Sequence, residues 1–257
     1  MNTRNNKSRN LDVAKAGIEK LAGDGAGLVI LPELFNFLGP DNEKPANAET
    51  MDGPSLRMLR EKAKELKINI HGGSLLIKNG DQIVNRTVVF NRIGDEIARY
   101  DKIHMFDVET SDGTVYRESD IVSPGSETVT FDCEGIKVGL SICYDLRFPE
   151  LFRKLSEKGA SLIILPAAFT LMTGKDHWET LIRARAIENV CYFAACGNWG
   201  PCPPQYNSWG HSMVVDPWGT VISQAGDKET TIMAELDLDY LTAIREKLPA
   251  LQHRKLK

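Results

Sequence analysis

The sequence predicts an α/β fold, and three observations predict it. Stretches with apolar residues at helical spacing alternate with short, continuous apolar runs. No linker interrupts that alternation, and one helix-then-strand unit occurs twice. With 257 residues, 42% hydrophobic and 26% charged, the chain is long enough for one large α/β domain with a substantial core.

Leu11, Ala14, Ile18 and Leu21 repeat at helical spacing behind Asn10, a suitable N-cap, which predicts a helix over 10–22. The run at 28–31 is short and wholly apolar, as a strand buried on both faces requires. Pro54 followed by Leu56, Leu59, Ala63 and Leu66 marks a helix with proline at its start. Strands are expected at 68–77 and 84–91 around the turn Asn79-Gly80-Asp81, and at 96–100 leading into Lys102. Beyond a loop rich in Asp, Ser and Gly, the pattern gives strands at 128–132 and 137–142 and a helix at 149–158. Leu181, Ala184 and Ile187 predict a helix over 177–189, followed by a strand at 190–195. A strand pair at 211–216 and 220–223 turns at Pro217-Trp218-Gly219.

The repeat is GAGLVILPE at 25–33 against GASLIILPA at 159–167, each after an amphipathic helix. It suggests two sheets related by approximate symmetry. It also shows that the strand end tolerates Ala167, so the fold does not demand Glu33 at the equivalent place.

A formal net charge of −4, with Lys and Arg spread along the chain, gives no electrostatic support to a nucleic-acid or membrane-surface role. Cys133, Cys143, Cys191, Cys196 and Cys202 form no C-x-x-C pair and are odd in number, which fits a reducing compartment without structural disulfides. The polar start at 2–10 and the absence of a long apolar run predict a cytoplasmic protein.

Glu33, Lys102 and Cys143 each stand just beyond an apolar, strand-like run, and ligands gather at the C-terminal strand ends of α/β sheets. A thiol that attacks a carbonyl needs a base for its proton, and a carboxylate suits that task. The oxyanion needs a positive partner, which an ammonium in a water-poor cleft supplies. Cys, Glu and Lys together therefore suit acyl transfer without histidine. Taken singly, Glu33 also suits a turn, Lys102 a solvated charge and Cys143 a small buried hydrophobe.

The segments LPELFN, YDKIHMFD and GLSICYDLRFPEL, in that order, resemble the carbon-nitrogen hydrolase, or nitrilase, superfamily. The likeness runs from Asn10 onward and includes HWETLIRARAIEN and GHSMVVDPWG. It implies a four-layer α-β-β-α sandwich over one domain at 1–257, paired into homodimers or larger assemblies. It also implies a catalytic triad of Glu33, Lys102 and Cys143, with Glu118 orienting the lysine and the substrate amide. Lys102 and the backbone N–H of Tyr144 would hold the oxyanion. The implied reaction passes through a cysteine thioester and uses no metal or organic cofactor.

Cys143-Tyr144-Asp145, in place of the Cys-Trp-Glu typical of true nitrilases, favours amides. CYDLRFPEL, with His177-Trp178 and GHSMVVDPWG, looks most like the branch of omega-amidases and deaminated glutathione amidases. Their substrates are small carboxylates bearing an amide, such as 2-oxoglutaramate. An anionic substrate wants a basic or hydroxyl-rich wall, and Thr170, Thr173 and His177 are candidates for it. His177 equally suits a helix start. Arg147 is expected to pair with Asp145 or Glu150, its near neighbours in sequence. An N-carbamoyl amide hydrolase, a nitrilase and a catalytically silent scaffold are the alternatives.

Cys191, Cys196, Cys202 and His211 lack a zinc spacing, and Gly72-Gly73 suits close backbone packing rather than a phosphate loop. The family usually begins with an apolar strand, and this sequence opens at 1–8 on the polar loop that should follow it, so that first strand is expected to be absent. The end at 253–257 is likewise expected to be short.

Overall fold

The computed structural model describes residues 1–110, 113–202 and 206–256. Residues 111–112 of the expected Asp-, Ser- and Gly-rich loop, and Lys257, lie outside them. In chain order the elements are α1 (Lys7–Gly23), β1 (Leu28–Ile30), α2 (Lys44–Asn47), α3 (Pro54–Leu66), β2 (Asn69–His71), β3 (Leu75–Asn79), β4 (Gln82–Phe90) and β5 (Glu96–Asp101). There follow β6 (Asp107–Glu109), β7 (Val115–Arg117), β8 (Thr130–Cys133), β9 (Ile136–Leu140), α4 (Pro149–Glu157), β10 (Leu162–Ala167) and α5 (Leu171–Asn189). The last are β11 (Tyr192–Gly197), β12 (Trp199–Cys202), β13 (Tyr206–Trp209), β14 (Met213–Val215), β15 (Val221–Gln224) and α6 (Leu238–Lys247).

Two sheets face each other. In the first, β1 runs parallel to β2, β2 and β3 lie end to end along one edge of β4, and β5 covers the other edge. In the second, the order is β15-β14-β11-β10-β9-β8, with β9, β10 and β11 parallel. Helices α1 and α3 cover the outer face of the first sheet: Ala14, Ile18, Leu56 and Leu59 bury against Val29, Ile70 and Phe90. Helices α4 and α5 cover the second: Phe152, Leu155, Trp178 and Ile182 join the cluster of Ile163, Leu165 and Phe193. Val89 and Tyr100 from the first sheet enter that same cluster, so the layers run α-β-β-α. Each such fully buried large side chain contributes about 1.5–3 kcal/mol.

Several elements differ from the pattern for identifiable reasons. Helix α1 begins before Asn10, because Asn6 caps it by accepting from the Arg9 N–H. Asn10 is instead buried inside the helix and donates to Arg4 O and Asn36 O. The run at 68–77 is two strands, because Gly73 takes φ +58 and lies so close to Pro32 O that a Cβ there would collide with it. Helix α5 begins at Leu171, six residues before His177, because Thr170 caps it and Gly174 sits directly under the Trp209 side chain.

Among the described residues, strand β1 has a strand partner on one edge, β2. Beyond its other edge lies a groove of about 1090 Å³, walled by Leu28, Ile30, Ala194, Met213, Ile232 and Leu236. The polar residues at the start of the chain are tied down beside it. Met1 O accepts from Trp199 N–H, Asn2 Nδ2 donates to Trp199 O at 2.6 Å, and Thr3 Oγ1 donates to Asn198 Oδ1 at 2.6 Å.

Candidate active site

The two halves of the sequence repeat end at the same place. Pro32-Glu33 follows β1 and Ala167-Ala168 ends β10, and the Ala168 N–H donates to Glu33 Oε2 at 2.8 Å. The turn carrying Glu33 is fixed on all sides. Leu34, at φ +49, donates to Ser74 Oγ, Ser74 N–H donates to Pro32 O, and Asn198 Nδ2 donates to Glu33 O at 2.6 Å.

Lys102 follows β5, its own N–H donating to Asn85 O and its carbonyl accepting from the Gly125 N–H. Its Nζ donates to Glu33 Oε1 at 3.1 Å and to Glu118 Oε1 and Oε2 at 3.0 and 2.8 Å. Glu118 opens a short 3-10 turn after the β6-β7 hairpin, and its Oε2 also accepts from the Phe106 N–H at 2.8 Å. The hairpin thus holds a carboxylate over the lysine.

Cys143 stands where the chain leaves β9 through Ser141 and Ile142, on an elbow with φ +47. A non-glycine residue there carries about 1–3 kcal/mol of strain, which the surroundings must hold. They do so through Asp145, which is fully buried. Its carboxylate accepts from Ile142 N–H at 2.8 Å, Tyr100 OH at 2.7 Å, and His104 N–H and Nδ1 at 3.1 and 2.7 Å. The His104 ring in turn stacks on Phe148, with centroids 3.7 Å apart.

Glu33, Lys102 and Cys143 are 3%, 2% and 7% exposed, so their charges act in a water-poor setting. Burial, the Glu33 carboxylate and a hydrogen bond to it push the Cys143 thiol well above its ordinary range, with Lys102 opposing. The thiol is therefore neutral at rest, beside the carboxylate able to take its proton. Burial disfavours the charge on Lys102, but Glu118, Glu33 and Cys143 overcome it and raise the ammonium well above its usual range. The arrangement combines a proton acceptor, a fixed cation and a nucleophilic atom at one spot.

These side chains open into a cavity of about 320 Å³, whose wall includes Tyr144, Thr170, Thr173 and Arg117. The Thr170 hydroxyl is partly spent, capping α5 and meeting Thr173 Oγ1 at 2.8 Å. His177 lies outside the cavity wall, exposed on α5, with Nδ1 at 3.4 Å from Arg147. The expected pairing of Arg147 with Asp145 or Glu150 does not form. Asp145 turns inward to its four donors, and the guanidinium lies over the Tyr144 and Phe169 rings instead.

The pattern reading missed Asn85 and Asp145. Asn85 is buried in β4 and donates from Nδ2 to Glu33 Oε1 at 3.0 Å and to Glu118 Oε1 at 3.4 Å. The available signal was a polar residue inside an otherwise buried strand, where it needs partners.

Residues 1–246 match the family model described as carbon-nitrogen hydrolase. A deaminated glutathione amidase of Synechocystis sp. is 40% identical over 260 residues, covering 99% of this chain and 95% of its own. An omega-amidase of Mus musculus is 40% identical over 97% of this chain and 90% of its own. Among solved structures, the C. elegans NitFhit protein superposes with a TM-score of 0.94 at 39% identity over 99% of this chain. This chain spans 63% of that protein's length.

Proposed function

The chain belongs to the carbon-nitrogen hydrolase family, and from that premise we propose that it hydrolyses the carboxamide of a small carboxylic acid, releasing the acid and ammonia. The enzyme is an amidase acting on non-peptide carbon-nitrogen bonds. The observation that carries the reading is the buried cluster of Glu33, Lys102 and Cys143 at the floor of a small cavity.

In the proposed reaction, Glu33 takes the proton of Cys143 and the sulfur forms a bond to the amide carbon. Lys102 Nζ and the Tyr144 N–H stabilise the oxyanion. The carbon-nitrogen bond breaks as Glu33 returns the proton to the leaving nitrogen, and ammonia departs. Glu33 then activates water, which attacks the thioester, and the acid leaves as Cys143 regains its proton. Glu118 orients Lys102 and the substrate amide.

The substrate class is that of the relatives, an omega-amide of the 2-oxoglutaramate or deaminated-glutathione type. The Arg117 guanidinium and the Thr170 and Thr173 hydroxyls in the wall suit its carboxylate end. One domain spans 1–257. The protein works in the cytoplasm, which five free cysteines support, and no described helix is long and apolar enough to cross a membrane. It pairs into a homodimer: Ile187, 47% exposed, rests against Gly219 beside Trp218, 58% exposed, which gives an apolar patch on one face.

The test is ammonia release from 2-oxoglutaramate, deaminated glutathione, an N-carbamoyl amino acid and a simple nitrile, run beside Cys143→Ala. Release from one of the two omega-amides, lost in the variant, is the expected result. Preference for the N-carbamoyl compound or the nitrile would replace the substrate assignment. Silence of the folded protein on every compound would replace the amidase reading with a scaffold role.

A further inference from the structure

Glu33, Lys102 and Glu118 leave a charge problem. Two carboxylates meet one ammonium in a site almost closed to water, so a second donor is needed to hold the two anions side by side. We propose that Asn85 is that donor, a positioning residue whose side-chain amide bridges Glu33 and Glu118 opposite Lys102 Nζ. The inference rests on the amidase reading for its turnover test, but not for its chemistry.

Four contacts close the arrangement. Glu33 Oε1 accepts from both Lys102 Nζ at 3.1 Å and Asn85 Nδ2 at 3.0 Å. Glu118 Oε1 accepts from the same two donors, at 3.0 and 3.4 Å. Donors and acceptors alternate around the ring, with the neutral amide bridging the two acids from one side as the ammonium bridges them from the other. Electrostatics fixes the orientation of the amide, since turning it over would set its oxygen against two carboxylates.

The orientation has a visible cost. Asn85 Oδ1 is buried and has no hydrogen-bond partner among the described residues. A buried amide that served only the packing of β4 would have its oxygen satisfied. Here the oxygen goes without so that the nitrogen faces the carboxylates. Asn85 is 1% exposed and its backbone oxygen also accepts from the Lys102 N–H, so one residue fixes the lysine's main chain and both acids. It does not line the cavity, which makes it a positioning group rather than one that touches substrate.

The consequence is a pH signature. A carboxylate that loses a donor is easier to protonate, and Glu33 must be unprotonated to accept the Cys143 proton. The charged and titratable groups facing Glu33 are Lys102 and Cys143, with Glu118 across the ring, and none of them is changed by substitution at Asn85.

The experiment compares wild type with Asn85→Leu, close in volume, and Asn85→Ala, which adds no bulk. kcat/KM for ammonia release from 2-oxoglutaramate or deaminated glutathione is measured against pH. In parallel, alkylation of Cys143 by iodoacetamide is followed against pH by peptide mass spectrometry. Both profiles should move their acid limb upward by about one pH unit, with about tenfold loss below the limb and recovery above it. KM should change little, because Asn85 does not meet the substrate. A loss of the same factor at every pH, with the limb unmoved in both readouts, would overturn the proposal and leave Asn85 a packing residue. If wild type releases no ammonia from either amide, the functional reading fails, and the alkylation profile still decides the role of Asn85. Circular dichroism on each variant shows which of the two is folded, and the folded one is read.

Discussion

Replacing Glu33 by Gln removes the proposed base while keeping its shape. Its Oε1 accepts from Lys102 Nζ at 3.1 Å and Asn85 Nδ2 at 3.0 Å, and its Oε2 accepts from the Ala168 N–H at 2.8 Å. Every direction from the carboxylate thus ends on a donor. A Gln side chain must turn its NH2 toward one of them, an unmet contact that costs about 1–3 kcal/mol. Removing one of two anions beside Lys102 offsets part of that cost, so the melting temperature should fall by only a few degrees. Catalysis should suffer more. Loss of a general base costs about 10²–10⁴ in rate, and a thousandfold loss corresponds to about 4 kcal/mol of barrier. Steady-state ammonia release at neutral pH checks this, with kcat expected to fall about a thousandfold and KM to stay within a few-fold. A folded Glu33→Gln enzyme within about tenfold of wild type would refute the assignment of Glu33 as base.

Three further outcomes follow from the same structure. His71 is fully buried and burial lowers it from the ordinary 6.5 to about 3, so the unfolded chain binds a proton across that window and the folded chain does not. Its contribution is whole above pH 6.5 and is lost as the pH falls toward 3, about 5 kcal/mol at most, so urea unfolding of His71→Leu should depend less on pH there than wild type. Asp145→Asn sets an NH2 against donors at the elbow and should cost about 1–3 kcal/mol in chemical unfolding, with kcat falling as Cys143 loses its fixed φ; an unchanged stability would contradict the role given to this carboxylate. If the chain pairs as proposed, Trp218→Glu should convert a dimer to a monomer by light scattering without unfolding it, and a wild-type monomer would remove the dimer proposal.

The parts of the fold that were legible in sequence are those where a local rule and the tertiary environment agree. Pro54 and Pro149 sit at the first positions of α3 and α4, as their fixed φ and missing N–H favour. The repeated GAGLVILPE and GASLIILPA units became β1 and β10, whose ends meet at Glu33 and Ala168. Glu33, Lys102 and Cys143 could be singled out because each interrupts an apolar run at its end. The start of α5 was hidden, because Gly174 weakens the helical signal for the sake of a contact with Trp209, distant in sequence. The β6-β7 and β12-β13 hairpins carry no strong apolar alternation and went unread, as did α6. Arg147 was misassigned because nearness in sequence says nothing of direction: Asp145 faces inward, and the guanidinium faces rings. Asn85 could not be tied to the site from sequence, since its partners lie 52 and 33 residues away.

The central claim is that Cys143 becomes acylated during turnover, and the most direct measurement is to catch that bond. Wild-type enzyme mixed with an omega-amide substrate is quenched in acid within the first turnovers, digested and read by mass spectrometry. The peptide carrying Cys143 should gain the mass of the substrate less ammonia, the gain should vanish with hydroxylamine, and Cys143→Ala should show neither adduct nor ammonia. Steady ammonia release from the Cys143→Ala enzyme, or an acyl group found on any other residue, would contradict it.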